Sequence, residues 1–361
     1  MKPVLYFCLA IVLATSLNVS SKEKDESKWQ AIFQLDNDLF SGSDRDYTSG
    51  VRFAFIKEIN EESVANSFLK RNLSKVVTDN EAVSPVRYWL LPQTEDVTFA
   101  WGVGLSQLLF TPEDPTALSA PDGERPYAGW LGLEYSLHAR NQTKVNSVTL
   151  AVGTTGENSF AEESQRWIHE NISNSPIFQG WDSQIPSEIT VNFNFDHKQR
   201  LFKSDGLSDD SVSFGIFEFD GYYESGISLG NFRTDAYVGG LIRAGINLPS
   251  NYSTPRVQLG SFGHNLFGDS ELDDKGFSLL GFLGLRSTLV AHDITLDGPL
   301  FRDFDTGVES KIWVNELVLG FGARYRGVGL SFTQTYRTDE FNGQSENLIF
   351  GSLMLRLNSV F

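Results

Sequence analysis

Apolar and polar residues alternate along most of the chain. From Ile349 onward, Ile349, Gly351, Leu353, Leu355 and Leu357 share one face, while Ser352, Arg356 and Asn358 share the other. Tyr127, Leu131, Leu133, Tyr135 and Leu137 oppose Glu134, Ser136 and His138. Val51, Phe53 and Phe55 oppose Thr48, Gly50 and Arg52. A two-residue period is the mark of a strand with one apolar and one polar face. The pattern predicts about twelve strands, near 29–38, 47–57, 96–110, 127–139, 144–153, 188–202, 211–224, 232–247, 276–294, 311–325, 328–337 and 347–361. Phe160 to Ile172 departs from it: Ala161, Glu162, Glu163, Gln165 and Arg166 favour a helix, and Trp167 and Ile168 give it an apolar patch. A second, amphipathic helix is expected around Glu61 to Val76.

A soluble sandwich also alternates, so the two ends of the chain decide between architectures. Residues 1–21 combine Lys2, an apolar run from Val4 to Val19, and Ser20-Ser21 before the charged stretch Lys22-Glu23-Lys24-Asp25-Glu26. That order predicts a secretory signal peptide and leaves 22–361 as one barrel. Polar or charged residues interrupt every later apolar run before it reaches the roughly 20 residues of a spanning helix. The last strand ends in Phe361, similar to the terminal signal of bacterial outer-membrane barrels. The fold class is therefore all-β: a transmembrane antiparallel β-barrel of about twelve strands, with a short helix in an extracellular loop.

Strand parity then sorts the connections. With both termini in the periplasm, the loops after strands one, three and five open at the cell surface. Asn141-Gln142-Thr143 and Arg326-Gly327 read as short periplasmic turns. Residues 58–95 and 248–275 become long periplasmic connections to which the sequence assigns no function. Large polar-face residues, Arg52, Trp130 and Arg356, oppose an open pore.

Composition narrows the class further. Lys and Arg total 29 against 46 Asp and Glu, a formal charge of −17. Removing residues 1–21 takes away Lys2 and no acid, leaving −18. Such a chain lacks the cations that displace counterions from nucleic acid. Its single cysteine, Cys8, lies inside the apolar run and excludes a disulfide framework or a Cys-rich metal site. No protein partner is evident.

Candidate chemistry gathers in the surface connections. Strand one ends at Asp36-Asn37-Asp38, strand two begins Asp44-Arg45-Asp46-Tyr47-Thr48-Ser49-Gly50, and the third outward loop holds Gln165-Arg166-Trp167-Ile168-His169. Gln165 and His169 stand at i,i+4 and share a helix face. Parity brings an imidazole, an amide, a carboxylate and a hydroxyl to one rim. A neutral imidazole can take a proton from water near neutral pH. Asp38 can offer oxygen ligands to a hard cation such as Ca²⁺, and that cation, or amide donors of Asn37 or Gln165, can stabilise an oxyanion. The set suits ester hydrolysis by activated water. Gly226-Ile227-Ser228-Leu229-Gly230 comes nearest to a G-x-S-x-G elbow but lacks the following helix. Strict alternation sends Asn37 and Asp38 to opposite faces, so both serve one site only at a bulge or strand end. Each residue also has an ordinary surface, turn or strand role, and these features alone leave enzyme status open.

At these residues the chain resembles the outer-membrane lipid A 3′-O-deacylase family. The matching pieces are Asn37-Asp38, Asp44 to Gly50, Arg125-Pro126-Tyr127-Ala128-Gly129, Gln165-x-x-x-His169, Leu296-Asp297-Gly298, Arg337-Thr338-Asp339-Glu340-Phe341 and Phe350-Gly351-Ser352. The resemblance implies a twelve-stranded barrel that removes the 3′-linked acyloxyacyl group from lipid A with Ca²⁺ dependence. It implies His169 as general base, Asp38 in Ca²⁺ binding, and Asn37, Thr48 and Gln165 as further polar site residues. Three departures stand out: Glu124 precedes Arg125 where Asp is common, Thr111 to Gly123 contains no Lys, and compact members lack the long 58–95 connection. The net acidity opposes an anionic lipid, so divalent cations and the bases Arg45, Arg125 and Arg166 are expected to bridge the two. The competing expectations are a phospholipase-type outer-membrane esterase and a non-catalytic barrel, either pore or structural protein.

Overall fold

The computed structural model describes residues 29–38, 46–59, 98–173, 175–204, 217–249, 256–259 and 277–358. The expected signal peptide, the helix expected at 61–76, Asp44, Arg45 and Phe361 lie outside them. The described strands are β1 (Trp29–Asn37), β2 (Asp46–Ile59), β3 (Thr98–Thr111), β4 (Ala128–Arg140), β5 (Lys144–Thr155), β6 (Ile189–Lys203), β7 (Phe217–Gly230), β8 (Arg233–Ile246), β9 (Phe277–Asp293), β10 (Trp313–Tyr325), β11 (Val328–Arg337) and β12 (Leu348–Asn358). Each pairs antiparallel with its sequence neighbours, and β12 closes on β1 from Gln30↔Asn358 to Asn37↔Gly351. Closure leaves no free strand edge, which is what a lipid environment demands of a sheet.

Alternation assigns the two faces. Phe53, Val103, Leu105, Leu133 and Tyr135 are exposed on the outside, as a lipid-facing band requires. Arg52, Glu134, Ser136 and His138 are buried inside. Short turns cross one end of the barrel. Arg326, at φ 51°, makes the two-residue turn with Gly327 between β10 and β11. The Asn141 carboxamide accepts from the Thr143 and Lys144 backbone N–H groups at 2.9 and 2.8 Å.

The seventh strand lies further along the chain than its pattern suggests. The sequence places it at 211–224, but β7 runs from Phe217 to Gly230. Its small residues Ser225, Gly226, Ser228 and Gly230 look like a loop, yet Ile227 and Leu229 are exposed outward while Ser228 is buried. The nearest approach to a nucleophile elbow is thus plain strand.

The lumen is filled. Arg52 bonds Glu134 at 2.8 Å, Arg286 bonds Glu224 at 2.6 Å, and Arg243 bonds Asp220 at 2.6 Å. The connection between β8 and β9 also enters it. The carbonyl oxygens of Arg256 and Gln258 accept from Gln34 and Arg52, at 3.3 and 2.7 Å, and the Val257 N–H donates to Asp36 at 2.9 Å. Arg256 itself pairs with Glu316. Part of the connection expected on the periplasmic side is therefore packed inside the barrel, where its backbone groups find partners.

Candidate active site

The helix predicted in the third outward loop is α1 (Ala161–Ile168), followed by wider turns over His169–Ser173. It lies on the outer surface of the barrel rather than over its mouth. Gly129 of β4 shares the parity of lipid-facing Leu133, and a Cβ built on it would fall 2.2 Å from Ser159 Oγ and 2.4 Å from Ala161 Cβ. Only glycine lets the start of α1 approach so closely. Leu109 of β3, paired with Gly129, forms an apolar cluster with Tyr127, Ala161, Phe178 and Trp181. The helix begins from Phe160 in a left-handed conformation (φ 54°) with no side-chain cap, so packing against the wall rather than capping fixes its start.

That packing orients the two helical candidates. The Trp181 indole N–H donates to Gln165 Oε1 at 2.7 Å. An indole can only donate, so the amide nitrogen of Gln165 faces the other way; it is buried without a hydrogen-bond partner. His169 Nδ1 lies 2.6 Å from the Pro176 carbonyl oxygen, and its ring packs against Phe178. A carbonyl can only accept, so Nδ1 carries the proton and Nε2 of the neutral ring carries the lone pair. Both side chains are buried and line a small recess with Glu162, Arg166, Ile177, Phe178 and Trp181.

The other candidates sit across β3. A bulge between Tyr47 and Ser49 shifts the register of β2, which corrects the sequence assignment of Thr48 to the polar face with Gly50 and Arg52. The Thr48 hydroxyl instead bonds that of Thr111 at 2.7 Å, and Thr111 has the outward parity of Leu109. Asn37 Nδ2 donates to the Thr48 carbonyl at 3.0 Å, and Asp38, fully buried, follows at the strand end. The bulge and the strand end supply the irregularity that strict alternation lacks. Asn37, Asp38 and Thr48 form one group and Gln165 and His169 another, with Leu109 to Thr111 of β3 between them.

Behind this wall the lumen braces the same backbone. Tyr47, next to Thr48, donates to Asp36 at 3.1 Å and packs on Phe110 and Phe350. Its phenol oxygen would lie 1.9 Å from a Cβ on Gly50, so a side chain there would displace the phenol. Arg125 corrects an expectation: it is no surface base but is buried against Glu340 at 2.7 Å and Thr295 at 3.1 Å. Arg337 bonds Glu316 and Glu340 and lies over the Phe350 ring. Several recurring motifs are thus pieces of one buried ion network. Arg166 is exposed and paired with Glu162. Burial pushes the Tyr127 phenol up to about 12, with Asp114 and Glu124 adding to the effect.

A hard divalent cation fits the strand-end group. Asp38 supplies a buried carboxylate, its neighbours Asn37, Thr48 and Thr111 are oxygen-bearing, and the hydroxyl of Ser49, paired with Asn37, is buried without a partner. No three His, Cys, Asp or Glu side chains cluster as a metal site among the described residues.

The shared helix face of Gln165 and His169 was readable from their spacing; Trp181, Pro176, Phe178 and Gly129 were not assigned a role. Gly129 and Tyr127 stood in a matching motif, whereas Pro176 and Trp181 carried no signal without the fold.

A closed, filled antiparallel barrel with a lipid-facing band and a helix docked on its outer wall defines an outer-membrane β-barrel protein. The family model for the outer membrane protein LpxR matches residues 5–359, and the chain belongs to this family. Among solved structures, LpxR from Salmonella typhimurium matches with a TM-score of 0.65 at 15% identity, covering 91% of this chain and 99% of that one. The β domain of the Bordetella autotransporter BrkA follows at a TM-score of 0.37 and 9% identity, covering 93% and 98%. The translocator domain of NalP from Neisseria meningitidis has a TM-score of 0.35 at 9% identity, covering 100% and 96%. No curated protein matches.

Proposed function

We propose that this protein is a lipid A deacylase that hydrolyses the 3′-linked acyloxyacyl ester with a water activated by His169, its site towards the extracellular side. The observation that carries the reading is α1 docked on the lipid-facing wall, holding a fixed imidazole tautomer across β3 from an oxygen-rich strand end. A lipid ester in the outer leaflet reaches such a site laterally, without entering the filled lumen. His169 accepts the proton of water at Nε2 while Pro176 holds Nδ1. The unpaired Gln165 N–H₂ donates to the carbonyl oxygen as it becomes an oxyanion. Asn37 and Thr48 orient the ester. Asp38, with nearby amide and carbonyl oxygens, would hold Ca²⁺, which when bound adds positive charge at the ester carbonyl. Water is the nucleophile, the acyl–oxygen bond breaks, and the proton held by His169 passes to the leaving sugar hydroxyl.

Mass spectrometry of lipid A tests this in cells expressing wild type or His169→Ala at matched outer-membrane levels. The expected result is loss of an acyloxyacyl mass with wild type, and a rate about 10²–10⁴-fold lower with the variant. Chelation of divalent cations is expected to lower the wild-type rate. Deacylation by both proteins at equal rates removes His169 from the mechanism. Unchanged lipid A with both, together with phospholipid cleavage by the purified barrel, replaces the substrate by a glycerophospholipid.

A further inference from the structure

The end of the lumen opposite α1 has a different electrostatic character. Arg243, Arg324 and Arg356, near the far ends of β8, β10 and β12, line a cavity of about 40 Å³ together with Ser278 and Ser331. The rest of its lining is apolar, glycine or proline, and among the described residues no carboxylate lines it. Asp220 engages Arg243 at two points, 2.8 and 2.6 Å, and also lies 3.4 Å from Arg200. Arg324 Nε donates to the Arg326 carbonyl at 3.1 Å. Arg356 is only 5% exposed, and its Nε and Nη1 atoms have no hydrogen-bond partner among the described residues; the buried hydroxyls of Ser278 and Ser331 have none there either.

Burying a guanidinium without a counter-charge is strongly unfavourable. The chain nevertheless shapes the wall around this one. A Cβ on Gly329 would stand 3.2 Å from Arg356 Nε, so the glycine leaves the room in which the side chain lies. Planar guanidinium donors and free hydroxyls converging on one space are the donor set that oxyanions select. At about 10–15 Å³ per water, the cavity holds a few waters or one small tetrahedral anion.

We infer that this cavity, formed by Arg243, Arg324, Arg356, Ser278 and Ser331, binds a small oxyanion of the phosphate class. The site is separate from the outward-facing one and does not depend on the deacylase reading. Arg356 and Arg324 supply positive charge to the ion, Arg243 being already shared with Asp220, and the two serines direct hydroxyl protons at its oxygens. The chemistry suits inorganic phosphate or the phosphoryl group of a lipid headgroup that reaches the lumen end.

The test is thermal unfolding of the full barrel in detergent, titrated with inorganic phosphate at ionic strength held constant with sodium chloride. Wild type is expected to show a saturable rise in Tm with phosphate, because a ligand of the native state stabilises it by mass action. Arg356→Gln is expected to unfold at an equal or higher temperature than wild type without phosphate, and to bind phosphate at least about tenfold more weakly. Phosphorus-31 line broadening of phosphate by wild type but not by Arg324→Gln provides a second readout, independent of how well the first variant folds. A Tm that responds equally to chloride and phosphate overturns the proposal, as does a phosphate response unchanged in both variants. Reconstitution in phosphatidylglycerol vesicles without phosphate separates the sources. An Arg356-dependent stabilisation there assigns the site to a headgroup phosphate, and its absence leaves the free ion as the ligand.

Discussion

The two sides of the wall formed by β1, β2 and β3 use polar residues in opposite ways. On the lumen side, charged groups meet partners: Arg52 with Glu134, Gln34, Ser106 and Gln258, and Arg256 and Arg337 with Glu316. On the outward side, Gln165 and Ser49 are buried with an amide nitrogen and a hydroxyl that bond nothing among the described residues. Buried polar groups are normally satisfied. The paired network around Arg52 and Glu134 therefore reads as scaffold, and under the proposed reading the unpaired groups of the outward side face substrate. Ion pairing makes the lumen side of this wall the bracing half, while unpaired groups inside the barrel lie at its far end, around Arg356.

The largest effect is expected on the lumen side. Glu134→Ala leaves Arg52 buried without its carboxylate and is expected to cost about 3–5 kcal/mol of stability, measured by denaturant unfolding of the detergent-folded barrel. The double variant Arg52→Leu with Glu134→Leu is expected to recover most of that loss. Deacylation per folded molecule is expected to stay near wild type in both; a selective loss of activity would move Arg52 and Glu134 into the catalytic half.

Gly129→Val probes the outward side. Its side chain would collide with Ser159 and Ala161 and push α1 off the wall, and a displacement of about 1 Å costs roughly 10²-fold in rate. Barrel stability, followed by heat-modified gel mobility, is expected to change little. An unaltered rate would show that α1 need not be seated there.

The smallest effect concerns the seam between α1 and the wall. Burial raises Tyr127 to about 12, from about 10 in the unfolded chain. The folded state thus holds the phenol proton more tightly. This stabilisation is complete below pH 10 and is lost as pH climbs from 10 towards 12, about 2 kcal/mol in all. Tyr127→Phe is expected to flatten that part of the stability profile; an alkaline loss of the same size in the variant would assign it elsewhere.

Strand identity was legible because membrane and lumen impose opposite solvents on successive residues, so each strand wrote its period into the sequence. Eleven of the twelve lie within a few residues of their pattern; β7 was displaced because Ser225 to Gly230 carries too little apolar contrast. The helix and the spacing of Gln165 and His169 were legible for the same reason, since a loop helix must present one face to a wall. Three things followed only from the tertiary structure. Thr48 turned outward because a bulge, invisible to periodicity, added a residue to β2. Arg125 went inward because Glu340, 215 residues away, awaited it. The His169 tautomer was set by Pro176 and the amide direction of Gln165 by Trp181. The barrel was written into the chain's local pattern, because solvent contrast is a local property of each strand. Which polar atoms remain unpaired, and on which side of the wall, was decided by long-range packing, because a hydrogen bond depends on both of its ends.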